Sequence, residues 1–191
     1  MRKTVGKIIA VCAFLFAGSA IIGGLVRAQE QKSGRPKPEA QIAAITRLDY
    51  MVGEWSGEGW MDFGGNRVTF RGTERIQKKL DGTVLLVEGH FLAKPPGATA
   101  EVPVHSTLGV ISFDPQAKKY QFASWLATGS SGERELTLDT AGWRWQMESP
   151  RGTIRYIMKL TDAGEWFEIG ERTSDGSSWH KFFEMTLQKE G

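Results

Sequence analysis

Cysteine is almost absent from this chain of 191 residues, because Cys12 is the only one. It lies in the apolar N-terminal stretch after Ile-Ala-Val, without the Leu-x-x-Cys context of a lipidation site. A single cysteine excludes an intramolecular disulfide, and the chain beyond it has neither a thiol nucleophile nor a cysteine metal site. That part of the chain must be held together by packing and hydrogen bonds.

Histidine is also scarce, and its spacing excludes further classes of function. His90, His105 and His180 show neither His-x-x-x-His nor His-x-His spacing, so no zinc site is predicted. No Gly-x-Ser-x-Gly elbow is present, and TGSSGE at 128–133 is typical of a hairpin turn. We therefore expect no catalytic residues of this kind, no metal and no cofactor. The alternative, haem held by one histidine, would use His180.

The one long apolar run lies at the N-terminus. A basic start, MRKTVGK, precedes uncharged residues 8–25, and a small-x-small signal ends at Ala28. Residues 1–28 are predicted to be a signal peptide, with Ala20 as an alternative cleavage point. An uncleaved anchor is the competing interpretation, since the 18 residues 8–25 can just span a bilayer. In either case we expect the rest of the chain to be exported, periplasmic or secreted, and to meet a membrane only through residues 8–25.

The predicted exported part has little net charge. The leader holds four basic residues and no acid, which leaves 24 − 4 = 20 basic and 22 acidic residues, a net charge of −2. No cluster of lysine or arginine is present. This composition excludes the electrostatic pattern of a nucleic-acid-binding protein.

A single domain is predicted after a polar tether. Residues 29–37 contain Pro and Gly among polar residues and indicate a flexible linker. From residue 38 to 50 apolar side chains recur every three positions, which predicts a short helix. The domain then spans residues 38–191, and the helix is expected to cover one end of it.

After Gly53 the apolar residues alternate with period two, which is typical of β-strands. Short turns rich in Gly, Asp and Pro separate the strands, so each strand should pair with its neighbours in sequence. Closure into a barrel removes the two exposed sheet edges. The predicted fold is therefore all-β, an antiparallel up-and-down barrel of about ten strands with a short N-terminal helix capping one end. The predicted strands are 54–63, 67–80, 83–93, 104–113, 118–128, 132–139, 142–149, 152–161, 165–173 and 178–188.

Three carboxylates fall on predicted apolar faces: Glu74, Glu88 and Glu184. An ionised carboxylate inside a barrel needs a partner, since burial of an unpaired charge is costly. The partner could be an arginine, such as Arg134 or Arg155, or the polar head of a ligand. Both interpretations remain open at this stage.

Aromatic residues predict an apolar cavity, since about eight strands already leave room for one small ligand. Trp125, Trp145 and Tyr156 are predicted as its walls, with His90 as a further polar contact. A small hydrophobic molecule is thus the expected partner. A purely structural or partner-binding envelope protein, with a barrel filled by its own side chains, is the alternative.

An enzyme is a second alternative. Glu74 and Glu88 flank the predicted turn at Asp81-Gly82 at nearly equal distances, so they could form an acid–base pair. The long connection 94–103, KPPGATAEVP, is either a lid over the barrel mouth or an ordinary surface loop.

Several segments together resemble a bacterial family, domain of unknown function 1579 (DUF1579). They are LDYMVGEWSGEG, FRGTERI, LLVEGHF, LGVISFDPQAKKYQF and FFEMTL, and they span roughly residues 47–189. The resemblance implies a lipocalin-like barrel, in which Gly53 and Trp55 match the Gly-x-Trp that opens the first strand of calycins. In calycins this Trp packs under a basic residue from a late strand, here Lys181 or Lys189. The family has no established activity, so the resemblance leaves function open.

Overall fold

The computed structural model of the protein describes residues 38–63 and 65–191, so the predicted signal peptide and tether lie outside the described residues. One helix, α1, covers Glu39–Thr46, and a 3₁₀ turn follows at Asp49–Met51. The strands are β1 Gly53–Phe63, β2 Asn66–Lys79, β3 Val84–Ala93, β4 Val102–Asp114, β5 Lys119–Leu126, β6 Ser131–Leu138, β7 Gly142–Ser149, β8 Gly152–Leu160, β9 Trp166–Thr173 and β10 His180–Lys189.

The strands form a closed antiparallel meander. Each strand pairs with its neighbours in sequence, and β1 pairs with β10 from Trp55 opposite Lys189 to Met61 opposite Phe183. The predicted ten-strand up-and-down barrel is confirmed. Closure leaves no free sheet edge, which is the reason the pattern favoured a barrel over an open sheet.

The N-terminal helix and the turn after it supply apolar side chains to the core. Ile45, Leu48 and Met51 are completely buried. The Tyr120 hydroxyl donates a hydrogen bond to the Ala44 carbonyl oxygen at 2.9 Å, which ties β5 to the C-terminal half of α1. The predicted helix is therefore part of the hydrophobic core.

Trp55 at the start of β1 is almost completely buried and is fixed on two sides. Its Nε1 donates to the Met51 carbonyl oxygen at 2.8 Å, and the Lys189 ammonium lies 5.2 Å from the ring centroid. Lys189 is thus the basic residue that the calycin resemblance implied. Lys181, the other candidate, forms an ion pair with Glu184 at 2.7 Å instead.

Glycines on the inward faces of the strands make room for large side chains of neighbouring strands. A Cβ atom built on Gly109 would lie 2.6 Å from the Phe122 ring, and one on Gly72 would overlap the Phe91 ring. Such contacts are shorter than any real Cβ contact, so only glycine fits beneath these rings. This pairing explains why glycine and aromatic residues alternate in the same strands.

The barrel wall is least continuous between β6 and β7. These strands are joined by three register pairs, from Leu136 opposite Trp145 to Leu138 opposite Trp143. Residues 131–135 and 146–149 lie beyond this ladder. The guanidinium of Arg134 bridges the splayed strands, 3.6 Å from the Met147 sulfur. We call this region the β6–β7 seam.

Candidate functional site

Three of the residues predicted to line the cavity lie inside the barrel. Glu74 is 9% exposed and is among the few buried charged residues. The Trp145 and Tyr156 rings stack with their centroids 4.6 Å apart. The inward positions of these side chains agree with the alternation pattern, and their contact with a ligand stays a prediction.

The predicted inward positions of Glu88 and His90 are wrong. Glu74 on β2 lies opposite Gly89, so Glu88 and His90 point outward, and both are exposed. His90 pairs there with the Ser106 hydroxyl at 3.1 Å. Val84, Leu86 and Leu92 share the face of Glu88 and His90, which suggested burial, although the opposite face of β3 is entirely apolar in sequence. The buried face consists of Leu85, Val87, Gly89, Phe91 and Ala93.

Trp125 and Glu184 are also outside, contrary to prediction. Trp125 is 49% exposed, because Phe122 and the residues in step with it form the inward face of β5. In β10 a bulge between Lys181 and Phe183 shifts the alternation by one residue. Glu184 consequently leaves the apolar face and pairs with Lys181 on the surface.

Two alternative sites predicted from the sequence, an acid–base pair and a haem site, are not formed, because side chains that they need point outward. Glu74 and Glu88 point to opposite sides of the barrel wall, so the predicted acid–base pair is wrong. His180, the candidate haem ligand, is exposed at the first position of β10. Gly53 and Trp55, by contrast, open β1 as predicted.

The carboxyl group near Glu74 is Glu168 on β9, which the sequence analysis did not single out. Glu168 is 8% exposed and shares the inward face with Trp166 and Gly170. The Trp166 indole N–H donates to its Oε2 at 2.9 Å. The spacing Trp-x-Glu-x-Gly, which places a carboxylate in step with a buried aromatic residue and a glycine, was the available signal. We call Glu74 and Glu168 the interior acid pair.

The pKa values of both carboxyl groups in the interior acid pair are raised. Burial, together with the smaller effect of the charge of Glu168, raises the pKa of Glu74 to about 8. Burial also raises the pKa of Glu168 to about 7, while the hydrogen bond from Trp166 opposes the rise. Desolvation dominates because it penalises the ionised form. At neutral pH, Glu74 is therefore mostly protonated.

The carboxyl group of Glu74 has little protein around it to bond. Its Oε2 is buried without a hydrogen-bond partner. Its Oε1 occupies the space above Gly89, where a Cβ atom would come within 2.7 Å of it. Gly89 thus provides the room in which this carboxyl sits. A buried oxygen without a protein partner is costly, so this oxygen is a strong candidate for a hydrogen bond to a bound molecule.

No arginine or lysine neutralises the interior acid pair among the ion pairs of the described residues. Arg155, one predicted partner, pairs with Glu171 at 2.8 Å. Arg134, the other, lies inside the barrel 4.8 Å from the Trp145 ring, and its Nε is buried without a partner. The structural ion pair proposed for Glu74 is therefore absent.

Tyr156 links the acid pair to the seam electrostatically. Burial raises the pKa of its hydroxyl, Glu168 raises it further, and Arg134 opposes the rise. Its ring also packs edge-on against Phe183 at 5.6 Å. Polar groups therefore extend through the aromatic interior from Glu74 to Arg134.

A surface cleft of about 530 Å³ lies over the outer faces of β6, β7 and β8. Most of its lining residues point outward, and Trp145, whose side chain faces the interior, lies between two of them in β7. The lining residues are Glu135, Thr137, Arg144, Trp145, Gln146, Arg155 and Ile157.

The long connection after β3 is anchored to the outer surface. Glu101 forms an ion pair with Arg71 on β2 at 2.6 Å.

Among the described residues, no three His, Cys, Asp or Glu side chains are grouped as metal ligands would be. No helix in that part of the chain is long and apolar enough to cross a membrane.

Comparison with known proteins supports the fold and the family. The crystal structure of Rv2717c from M. tuberculosis matches with a TM-score of 0.55 at 11% sequence identity, over 78% of this chain and 98% of that chain. This likeness concerns the barrel fold alone. No curated protein matches the chain. Residues 43–189 match a protein family of unknown function, and the chain therefore belongs to DUF1579.

Proposed function

We propose that this protein binds a small, largely apolar molecule inside its barrel, with Glu74 as a polar contact. The observation that carries the proposal is the buried Glu74 Oε2 without a hydrogen-bond partner. Proteins tolerate such a group where a bound molecule or water completes its hydrogen bonds. The aromatic interior supplies the apolar surface that typical ligand sites use.

Arg134 supports the same proposal. Its Nε is a second buried polar atom without a partner, and its guanidinium bonds only weakly, to the Ser124 hydroxyl at 3.3 Å and the Met147 sulfur. Two unsatisfied groups of opposite type favour a ligand with an apolar body and a polar end. The seam next to Arg134 would give such a ligand a lateral way in.

The direct test is native mass spectrometry of gently purified protein, followed by titration with a lipophilic fluorescent dye. We expect copurified small-molecule mass or dye enhancement, and weaker dye binding by Glu74→Gln. Glu88→Gln is the matched control, because Glu88 is on the same hairpin but points outward. A protein that is empty and leaves the dye fluorescence unchanged would contradict the proposal.

We further propose that binding takes place after export, on the basis of the N-terminal sequence alone. Cell fractionation should recover the protein outside the cytoplasm, with a mass that corresponds to cleavage after Ala28 or Ala20. A full-length protein in the membrane fraction would instead favour an anchor at residues 8–25. Recovery from the cytoplasm would contradict export.

A further inference from the structure

We propose that the interior site takes a weak organic base, an amine whose ammonium head binds between Glu74 and Glu168 and whose apolar body packs on the surrounding rings. The inference rests on the proposed binding function and adds the chemical class of the ligand. It starts from a charge imbalance: two carboxyl groups share the interior, and neither has a cationic partner among the described ion pairs.

The protonation state favours a base over other head groups. A neutral amine that enters can accept the proton of the Glu74 carboxyl: the O–H bond breaks, an N–H bond forms, and an ammonium–carboxylate pair results. The interior gains no net charge, so the main cost of burying ions is offset by their pairing. A carboxylate ligand would instead add a further negative charge beside Glu168, and like charges repel strongly at low dielectric.

Aromatic rings surround the same two carboxyl groups. Trp55 lies opposite Glu74 in the register of β1 and β2, and its ring meets the Trp166 ring edge-on at 5.8 Å. Trp166 is also the hydrogen-bond donor to Glu168. Ring faces attract ammonium groups, most strongly when water is excluded. Carboxylates within a shell of Trp and Tyr therefore form a site that favours organic cations.

The hydrogen-bond inventory also matches an ammonium group. Glu74 Oε2 has no donor, and the donor to Glu168 that the structure shows is the single N–H of Trp166. An ammonium supplies up to three N–H donors, enough for both carboxylates. The Glu74 carboxyl itself fills the space above Gly89, so an ammonium group would approach it from the side of Oε2, which has no hydrogen-bond partner.

The charged groups that face this region are few. Lys189 lies on the Trp55 ring, the Tyr156 hydroxyl on β8 is affected by the charges of Glu168 and Arg134, and Arg134 on β6 is held on the Trp145 ring. Arg134 is a fixed cation, so it would favour binding of an anion at its own end of the interior. The competing class of ligand is therefore an acid, and a neutral hydrogen-bond acceptor is the intermediate case.

Three probes with the same ring distinguish these classes: 2-phenylethylamine, 2-phenylethanol and phenylacetate, titrated calorimetrically into the purified protein. We expect the amine to bind at least about tenfold more tightly than the alcohol, equivalent to about 1.4 kcal/mol, and phenylacetate to bind most weakly. Glu74→Gln and Glu168→Gln should each remove most of the preference for the amine. Glu88→Gln should retain it.

Equal affinity for amine and alcohol, or tighter binding of phenylacetate, would overturn the inference while leaving interior binding intact. Failure of the amine to bind would also overturn it, and the dye titration would then decide the proposed function separately. Circular dichroism checks that each variant is folded. Should Glu74→Gln not fold, the order of the three probes on the unmodified protein still decides the outcome.

Discussion

The most informative residue is Glu74, a carboxylic acid in the hydrophobic interior of a small barrel. Its environment consists of a glycine, aromatic rings and a second acid, and burial raises its pKa to about 8. Proteins place neutral acids in apolar sites when they must donate or exchange a proton there. In the proposed complex, Glu74 donates its proton to the amine.

The shifted pKa values make stability depend on pH in a defined direction. A carboxyl with a raised pKa holds its proton more tightly in the folded state, so stability falls as pH rises from about 4.5 to about 8. Glu168 contributes to the fall between about 4.5 and about 7. Chemical denaturation between pH 4.5 and 9 should show the decline.

Glu74→Gln should flatten this decline. At about 1.4 kcal/mol per pKa unit, the rise from 4.5 to about 8 corresponds to about 5 kcal/mol, so above pH 8 the variant should be more stable than the unmodified protein by up to that amount. At pH 4.5 the two should differ little. A variant as pH-dependent as its parent would show that Glu74 is not the buried acid, and Glu88→Gln serves as the control.

Gly89 should be intolerant of a methyl group. Its φ is ordinary for a strand, so alanine meets only a problem of space: the new Cβ would lie 2.7 Å from Glu74 Oε1. We expect Gly89→Ala to cost about 1 to 3 kcal/mol of unfolding free energy. Gly132→Ala is the control, since its nearest neighbour is the flexible end of Arg134 at 3.0 Å, and it should change stability by less than about 1 kcal/mol. Similar losses in both variants would contradict the steric explanation.

The inward or outward position of a residue was predicted correctly where the two faces of its strand differ clearly in polarity. Glu74 belongs to β2, whose opposite face is polar, so the pattern identified its inward position correctly. Glu88 and His90 belong to β3, where three apolar residues on their own face suggested burial although the opposite face is entirely apolar, and the prediction took the wrong side. Glu168 was missed because the inward face of β9 consists of Trp166, an acid and a glycine. These three residues together do not resemble an apolar face.

At the scale of elements, the N-terminal cap is an integral part of the core. Leu48→Ala removes a completely buried side chain from the junction between α1 and the barrel. We expect a loss of about 2 to 5 kcal/mol, the range for such truncations in a packed core. Leu80→Ala, at a 74% exposed turn position, should change stability by no more than about 0.5 kcal/mol. Denaturant titration measures both, and a tolerant Leu48 would mean that the cap is not part of the core.

The β6–β7 seam should be the most labile part of the wall. Residues 131–135 and 146–149 have no register partner across the seam, whereas β2 and β3 pair along ten positions. Amides without ladder hydrogen bonds exchange rapidly. Hydrogen exchange followed by mass spectrometry should show faster exchange at these two segments than in β2 and β3. Equal protection would contradict a seam that opens to admit a ligand.

Strand positions were predictable because turn residues and period-two alternation mark them directly. The bulge in β10 was not, since it depends on how Phe182 and Phe183 both pack inward, which local sequence does not encode. It reversed the expected side of Glu184. The β6–β7 seam likewise depends on how two strands diverge in space, and no sequence motif in either strand predicts it.

At the scale of the whole molecule, closure was predictable and the content of the interior was not. Ten short strands with tight turns leave little choice but a meander barrel. The side chains that fill the interior depend on the register of every strand pair around the barrel. A single error in one strand therefore moves a residue from inside to outside.

The proposed site requires an interior acid that keeps its proton near neutral pH. Carbon NMR of protein with ¹³C-labelled glutamate carboxyl groups measures this directly, by titration of each resonance from pH 3 to 9. We predict one resonance with a midpoint near the expected value of about 8, absent from the spectrum of Glu74→Gln. If every glutamate instead titrates below about pH 5.5, the range of ordinary carboxyls, Glu74 is not a buried acid without a charge partner, and the proposed site does not exist.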